Sequence, residues 1–85
     1  MAEEKKIGQV THFFGKIGVA IVKLSSELKI GSKIHIKGHT TDFEDKVASM
    51  QVNHESIEAG KSKDEVGIKV KEEVRDGDEV YKVVE

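Results

Sequence analysis

The chain has no cysteine and no proline among its 85 residues, and only four aromatic side chains. Without thiols, disulfide frameworks, zinc ribbons and thiol catalysis are excluded. Without proline, its turns must rest on Gly, Asp, Ser and Asn. So few aromatics argue against single-stranded nucleic acid held by extended base stacking. No apolar run approaches the ~20 residues of a membrane-spanning helix. The charged start, MAEEKK, leads into no signal-peptide core. One small domain with a thin core, cytoplasmic and off the membrane, is the expectation.

Charge is abundant but nearly balanced, with a net −2 and 35% charged residues. Residues 1–42 carry seven Lys/Arg and four Asp/Glu, a net +3, whereas residues 43–85 carry seven and twelve, a net −5. Such asymmetry makes a basic face if the halves segregate in space, and a mixed surface if they interleave.

Strand signals dominate the pattern. Ile7–Phe14 and Ile17–Leu24 flank Gly15-Lys16 as a hairpin, and Lys33–Gly38, Val66–Val70 and Glu79–Val84 alternate or run apolar. Phe43–Asn53 changes phase at Val47-Ala48, which predicts one strand bent by a β-bulge. Ser26–Ile30 and His54–Gly60 could each form one helical turn, and neither is long enough for an amphipathic face. Short strands at this spacing predict an all-β fold, a small closed or nearly closed antiparallel β-barrel spanning residues 7–84, with residues 1–6 as a flexible charged lead.

Three segments in order carry a resemblance: Gly18–Leu24, Leu28–Gly38, and Asp64–Val70 with Val74–Tyr81. Together they resemble the second domain of elongation factor Tu and the translation-factor barrels. A similar barrel forms the C-terminal domain of the U32 peptidase family. Ser32 stands where the translation family usually has Asp. No phosphate-binding loop of the G-x-x-x-x-G-K-[ST] type occurs, so nucleotide binding is not expected. The resemblance implies non-catalytic binding to tRNA, rRNA or the ribosome.

Local chemistry names the candidate residues. The loop Lys37, His39, Thr40, Thr41 and Phe43, extended by Lys33, His35 and Lys46, offers ammonium, imidazole and hydroxyl groups to a phosphate–ribose surface. Read without a ligand, the same loop is a solvated hairpin with Phe43 closing the core. A second candidate is Thr11–Lys16, where one of Phe13 and Phe14 must face outward, as a platform or as an interface. No metal site is expected, since His35 and His39 lie ~13 Å apart along a strand. No catalytic constellation and no cofactor are expected either. The competing reading is a protein–protein adaptor or homodimeric module, such as an accessory barrel for a U32-peptidase-like enzyme.

Overall fold

The computed structural model describes residues 3–39, 41–52 and 55–84. Ten strands follow one another: β1 (Glu3–Phe14), β2 (Val19–Leu24), β3 (Leu28–Lys29), β4 (Lys33–Lys37), β5 (Asp42–Lys46), β6 (Met50–Val52), β7 (Glu55–Ser56), β8 (Ala59–Gly60), β9 (Glu65–Lys69) and β10 (Glu79–Val84). Among the described residues no helix is long and apolar enough to cross a membrane.

Eight strands form one antiparallel ladder in the order β5-β4-β10-β1-β2-β9-β6-β7, and β3 pairs with β8 separately. The all-β antiparallel expectation holds. Closure into a barrel does not follow, because the end strands β5 and β7 are not paired with each other. Those ends are blunted instead. Four of the five residues of β5 are charged and β7 has two residues, both devices that disfavour edge-to-edge association.

The sheet nevertheless curls around one core. Ile34 and Ile36 of β4 share a buried cluster with Val66 and Ile68 of β9, although three strands lie between β4 and β9. A flat sheet would hold those side chains roughly 19 Å apart, at about 4.8 Å per strand.

The curl is built into β1. Its pairing slips between Lys6 and Gly8 against β10, and between Val10 and His12 against β2. Each slip leaves one extra residue and exchanges the inward and outward sets. Ile7 and Gly8 are therefore both buried although adjacent. Beyond the second slip Phe13 faces the buried Ala20, and Phe14 faces Val19 on the outside.

Four sequence expectations change. β1 begins at Glu3, so residues 3–6 pair with β10 rather than leading in loosely. The β1–β2 turn spans residues 15–18, with Gly18 at φ +65°, and Ile17 sits in it, not in a strand. The segment 43–53 is two strands, not one. β5 lies at one end of the ladder and β6 next to β9 near the other. The chain crosses between them at residues 47–49, where Gly31 N–H donates to the Val47 carbonyl at 2.7 Å and Val47 N–H to the Ser32 carbonyl at 2.9 Å. The segments expected as single helical turns supply β3, β7 and β8, because Leu28 pairs with Gly60 and buries its side chain under the curl; His54 lies outside the described residues.

Candidate functional site

Four of the eight predicted binding residues, Lys33, His35, Lys37 and Lys46, lie on one outward sheet face. His35 stands opposite Tyr81 of β10 and Glu44 of β5, while Lys37 stands opposite Glu79 and Asp42. Lys33 and Lys46 face each other, and Lys6 of β1 faces Tyr81. Residues directly opposite across a ladder share a face. This face therefore holds four lysines (Lys6, Lys33, Lys37, Lys46) against four carboxylates (Glu4, Asp42, Glu44, Glu79).

Three of the four lysines are paired. Lys37 Nζ lies 2.9 Å from Glu4 Oε1 and 5.2 Å from the centre of the Tyr81 ring. Lys33 reaches Glu44 at 3.7 Å, and Lys6 reaches Glu79 at 3.5 Å. The Tyr81 hydroxyl donates to Glu79 Oε2 at 2.6 Å. Of the two alternatives, a basic face and a mixed one, this surface is the mixed one, with carboxylates of the acidic half opposite cations of the basic half.

His35 is the centre of the network. Its Nδ1 meets Glu4 Oε2 at 2.6 Å, and its Nε2 meets Asp42 Oδ1. Ionised carboxylates only accept, so this pairing on both ring nitrogens favours the imidazolium form. The Glu4 and Asp42 carboxylates hold the His35 pKa above its ordinary 6.5. In return His35 and then Lys37 hold Glu4 below its ordinary range, and Glu4 raises Lys37. Tyr81 and Lys6 lower Glu79, while the Glu79 bond raises Tyr81.

Glu4, His35 and Glu44 bring one ligand atom each within 4.8 Å of one another. A divalent ion there would have to displace Lys37 from Glu4 and Lys33 from Glu44, so the arrangement is that of an ion-pair network. Sequence spacing had no access to this group, because Glu4 is 31 residues from His35.

The loop itself presents little. Phe43 is 9% exposed and belongs to the core cluster, so its ring offers no stacking face. Thr41 is buried at 6%, and its carbonyl accepts from Gly38 N–H at 2.7 Å. His39 is exposed, and Thr40 lies outside the described residues.

Around the β1–β2 turn, large apolar side chains are exposed. Phe14 is 45% and Ile17 63% exposed, with the His12 and Phe14 rings edge-to-face at 4.5 Å. Phe14, Ile17, Val19 and Ile21, with Gln51 and Glu65 at the wall, line an open groove of about 440 Å³ that runs over Gly67. A Cβ on Gly67 would sit 3.3 Å from Val19 Cγ1 and 3.5 Å from Ile21 Cδ1, so the missing side chain deepens the groove.

Comparisons with known proteins decide between the readings. No family model matches the chain. It is 46% identical over 77 residues to an uncharacterized protease of Methanocaldococcus jannaschii, covering 89% of this chain and 19% of that protein. The chain therefore spans about a fifth of the curated relative it matches. A crystal structure of the C-terminal domain of a Geobacillus thermoleovorans protein assigned to the U32 peptidases superposes with a TM-score of 0.86 at 17% identity, over 92% of this chain and 91% of that one. Its selenomethionine variant gives 0.85 at 16% identity, over 89% and 96%. The fold is that of this C-terminal domain.

The translational reading is corrected accordingly. Both kinds of similarity lead to peptidase-associated proteins, not to elongation factors or the ribosome. The resemblance to elongation factor Tu rested on short sequence segments, which do not by themselves fix function. The word protease belongs to a protein of which this chain matches only 19%.

Proposed function

We propose that this chain is a non-catalytic accessory module that docks on the catalytic region of a U32-peptidase-type enzyme. The reading rests on one observation. Nearly all of this chain matches a small part of a protease, at 46% identity, leaving about four-fifths of that protein to carry its chemistry. The curled sheet, closed or open at its ends, serves as a rigid scaffold for a docking face.

That face is the apolar groove around Phe14 and Ile17, and its occupant is the remainder of the enzyme. Exposed large apolar residues gathered on one turn are the ordinary mark of a protein contact. The charged face has three of its four lysines already paired internally, which leaves less to gain from a partner.

Sedimentation of this chain mixed with the M. jannaschii relative lacking its matched part tests the proposal. A one-to-one complex that the double change Phe14→Ser/Ile17→Ser abolishes is expected. Two free species, with circular dichroism showing both folded, would overturn the reading. Self-association of this chain alone through the same residues would seat a second copy there and also overturn it.

A further inference from the structure

A second groove lies between β1, β2 and the turn at residues 61–64, bordering the charged face at Lys6. Its volume is about 540 Å³, and its walls carry Lys6, Lys23 and Lys63 together with Gln9, Ser25 and Ser62. No carboxylate lines it. On a chain of net charge −2 this groups three cations, of which Lys23 and Lys63 are without an ion pair among the described residues. Glu79 reaches Lys6 at 3.5 Å from outside the lining. Glu65 stands opposite Lys23 in register, and no ion pair joins them. Lys63 likewise has no ion pair among the described residues.

Lys63 is also the only non-glycine residue with positive φ among the described residues, at +76°. It is the third residue of a turn closed by Asp64 N–H donating to the Lys61 carbonyl at 3.0 Å. At that position a positive φ calls for Gly or Asn. The turn is clamped to the end of β2. Lys63 N–H donates to the Leu24 carbonyl at 2.7 Å, Leu24 N–H to the Asp64 carbonyl at 2.8 Å, and the Ser62 hydroxyl to the Ser25 carbonyl at 3.2 Å. Strain over-determined by its surroundings in this way gathers at ligand sites.

From these observations we infer that the groove binds an acidic peptide segment. Three ammonium groups on separate segments suit several carboxylates along an extended chain. A single compact oxyanion is better held by the fixed fork of an arginine, which lysine lacks. The lysine stems supply apolar wall between the charges. Binding here is independent of the docking groove around Phe14, since Lys6, Lys23 and Lys63 line only the second groove.

An amide-resolved NMR titration of the full chain with hexaglutamate tests this, with hexaglutamine and inorganic phosphate as separate arms. Hexaglutamate is expected to shift the amides of residues 8–11, 25 and 61–64, and to bind more weakly at about 0.15 M than at about 0.01 M salt. Hexaglutamine should leave them still. The double change Lys23→Gln/Lys63→Gly should weaken hexaglutamate at least about tenfold. Glycine is relaxed at the φ of residue 63, so that variant keeps its fold. Undiminished binding by the double variant, or no response of the native chain, would overturn the inference. An equal response to phosphate at matched concentration would reassign the groove to small oxyanions and overturn the peptide.

Discussion

His35 on β4 and Glu4 on β1 meet across the intervening strand β10, with Nδ1 and Oε2 2.6 Å apart. Glu4 also takes Lys37, so one carboxylate near the start of the chain ties β1 to β4 over Tyr81. The link joins strands that are not neighbours in the ladder, and its strength depends on pH.

Stability from this link should peak between pH 4.5 and 6.5. The His35 pKa is raised above 6.5, so its contribution is complete below that value and is lost as pH climbs through the folded-state pKa. The Glu4 pKa is lowered from 4.5, so its contribution is complete above that value and is lost as pH falls through the folded-state pKa. Urea denaturation of the native chain and of His35→Gln across this range checks it. Identical pH profiles for the two proteins would count against the link.

Between the two carboxylates on His35, Glu4 has the larger influence. Following the ring protons of His35 by NMR should place its midpoint above 6.5 in the native chain. Glu4→Gln should lower that midpoint more than Asp42→Asn does. The reverse order would mean that Asp42 is the principal partner.

Core truncation should be costly where the curl brings distant strands together. Ile36 on β4 is fully buried, and Ile36→Ala should cost about 2–5 kcal/mol in denaturant unfolding. Lys61→Ala, on the exposed turn, should stay within about 0.5 kcal/mol of the native chain. Comparable losses in both would show that this core is not the source of stability.

Gly8 has no room for a methyl group. A Cβ there would lie 2.8 Å from the Lys23 carbonyl oxygen and 2.8 Å from Val22 Cγ1. Backbone yields less readily than a side-chain tip, so Gly8→Ala should destabilise by about 1–3 kcal/mol through overpacking. A neutral result by thermal melting would mean that β1 shifts freely between its two bulges.

The change Phe14→Ser/Ile17→Ser should alter stability by no more than about 0.5 kcal/mol, because both side chains are exposed in the isolated chain. A large loss of Tm would show instead that the turn is integral to the fold, and would remove it as a docking surface.

Much of the inward set is legible from alternation. Ile34 and Ile36, Val66 and Ile68, and Val80 fall at every second position and are buried as that spacing predicts. The turn at Asp76-Gly77-Asp78 is equally local. Gly77 takes φ +93°, and the Asp78 carboxylate accepts from Arg75 N–H at 2.9 Å. Such features depend on neighbours within a few residues, which the sequence displays directly.

What is not local was decided by the tertiary structure. Phe13 and Phe14 are adjacent and chemically alike, and only the bulge of β1 against β2 sends the first inward and the second outward. The phase change at Val47-Ala48 is visible in the sequence, but a bulge and a departure from the sheet leave the same mark there. The mixed charge of the outer face has the same origin. Lysines from the basic half come to lie opposite carboxylates from the acidic half, such as Glu44 and Glu79, only once β4 is flanked by β5 and β10. Alternation assigns side chains to a face within one strand, whereas strand order decides which faces meet.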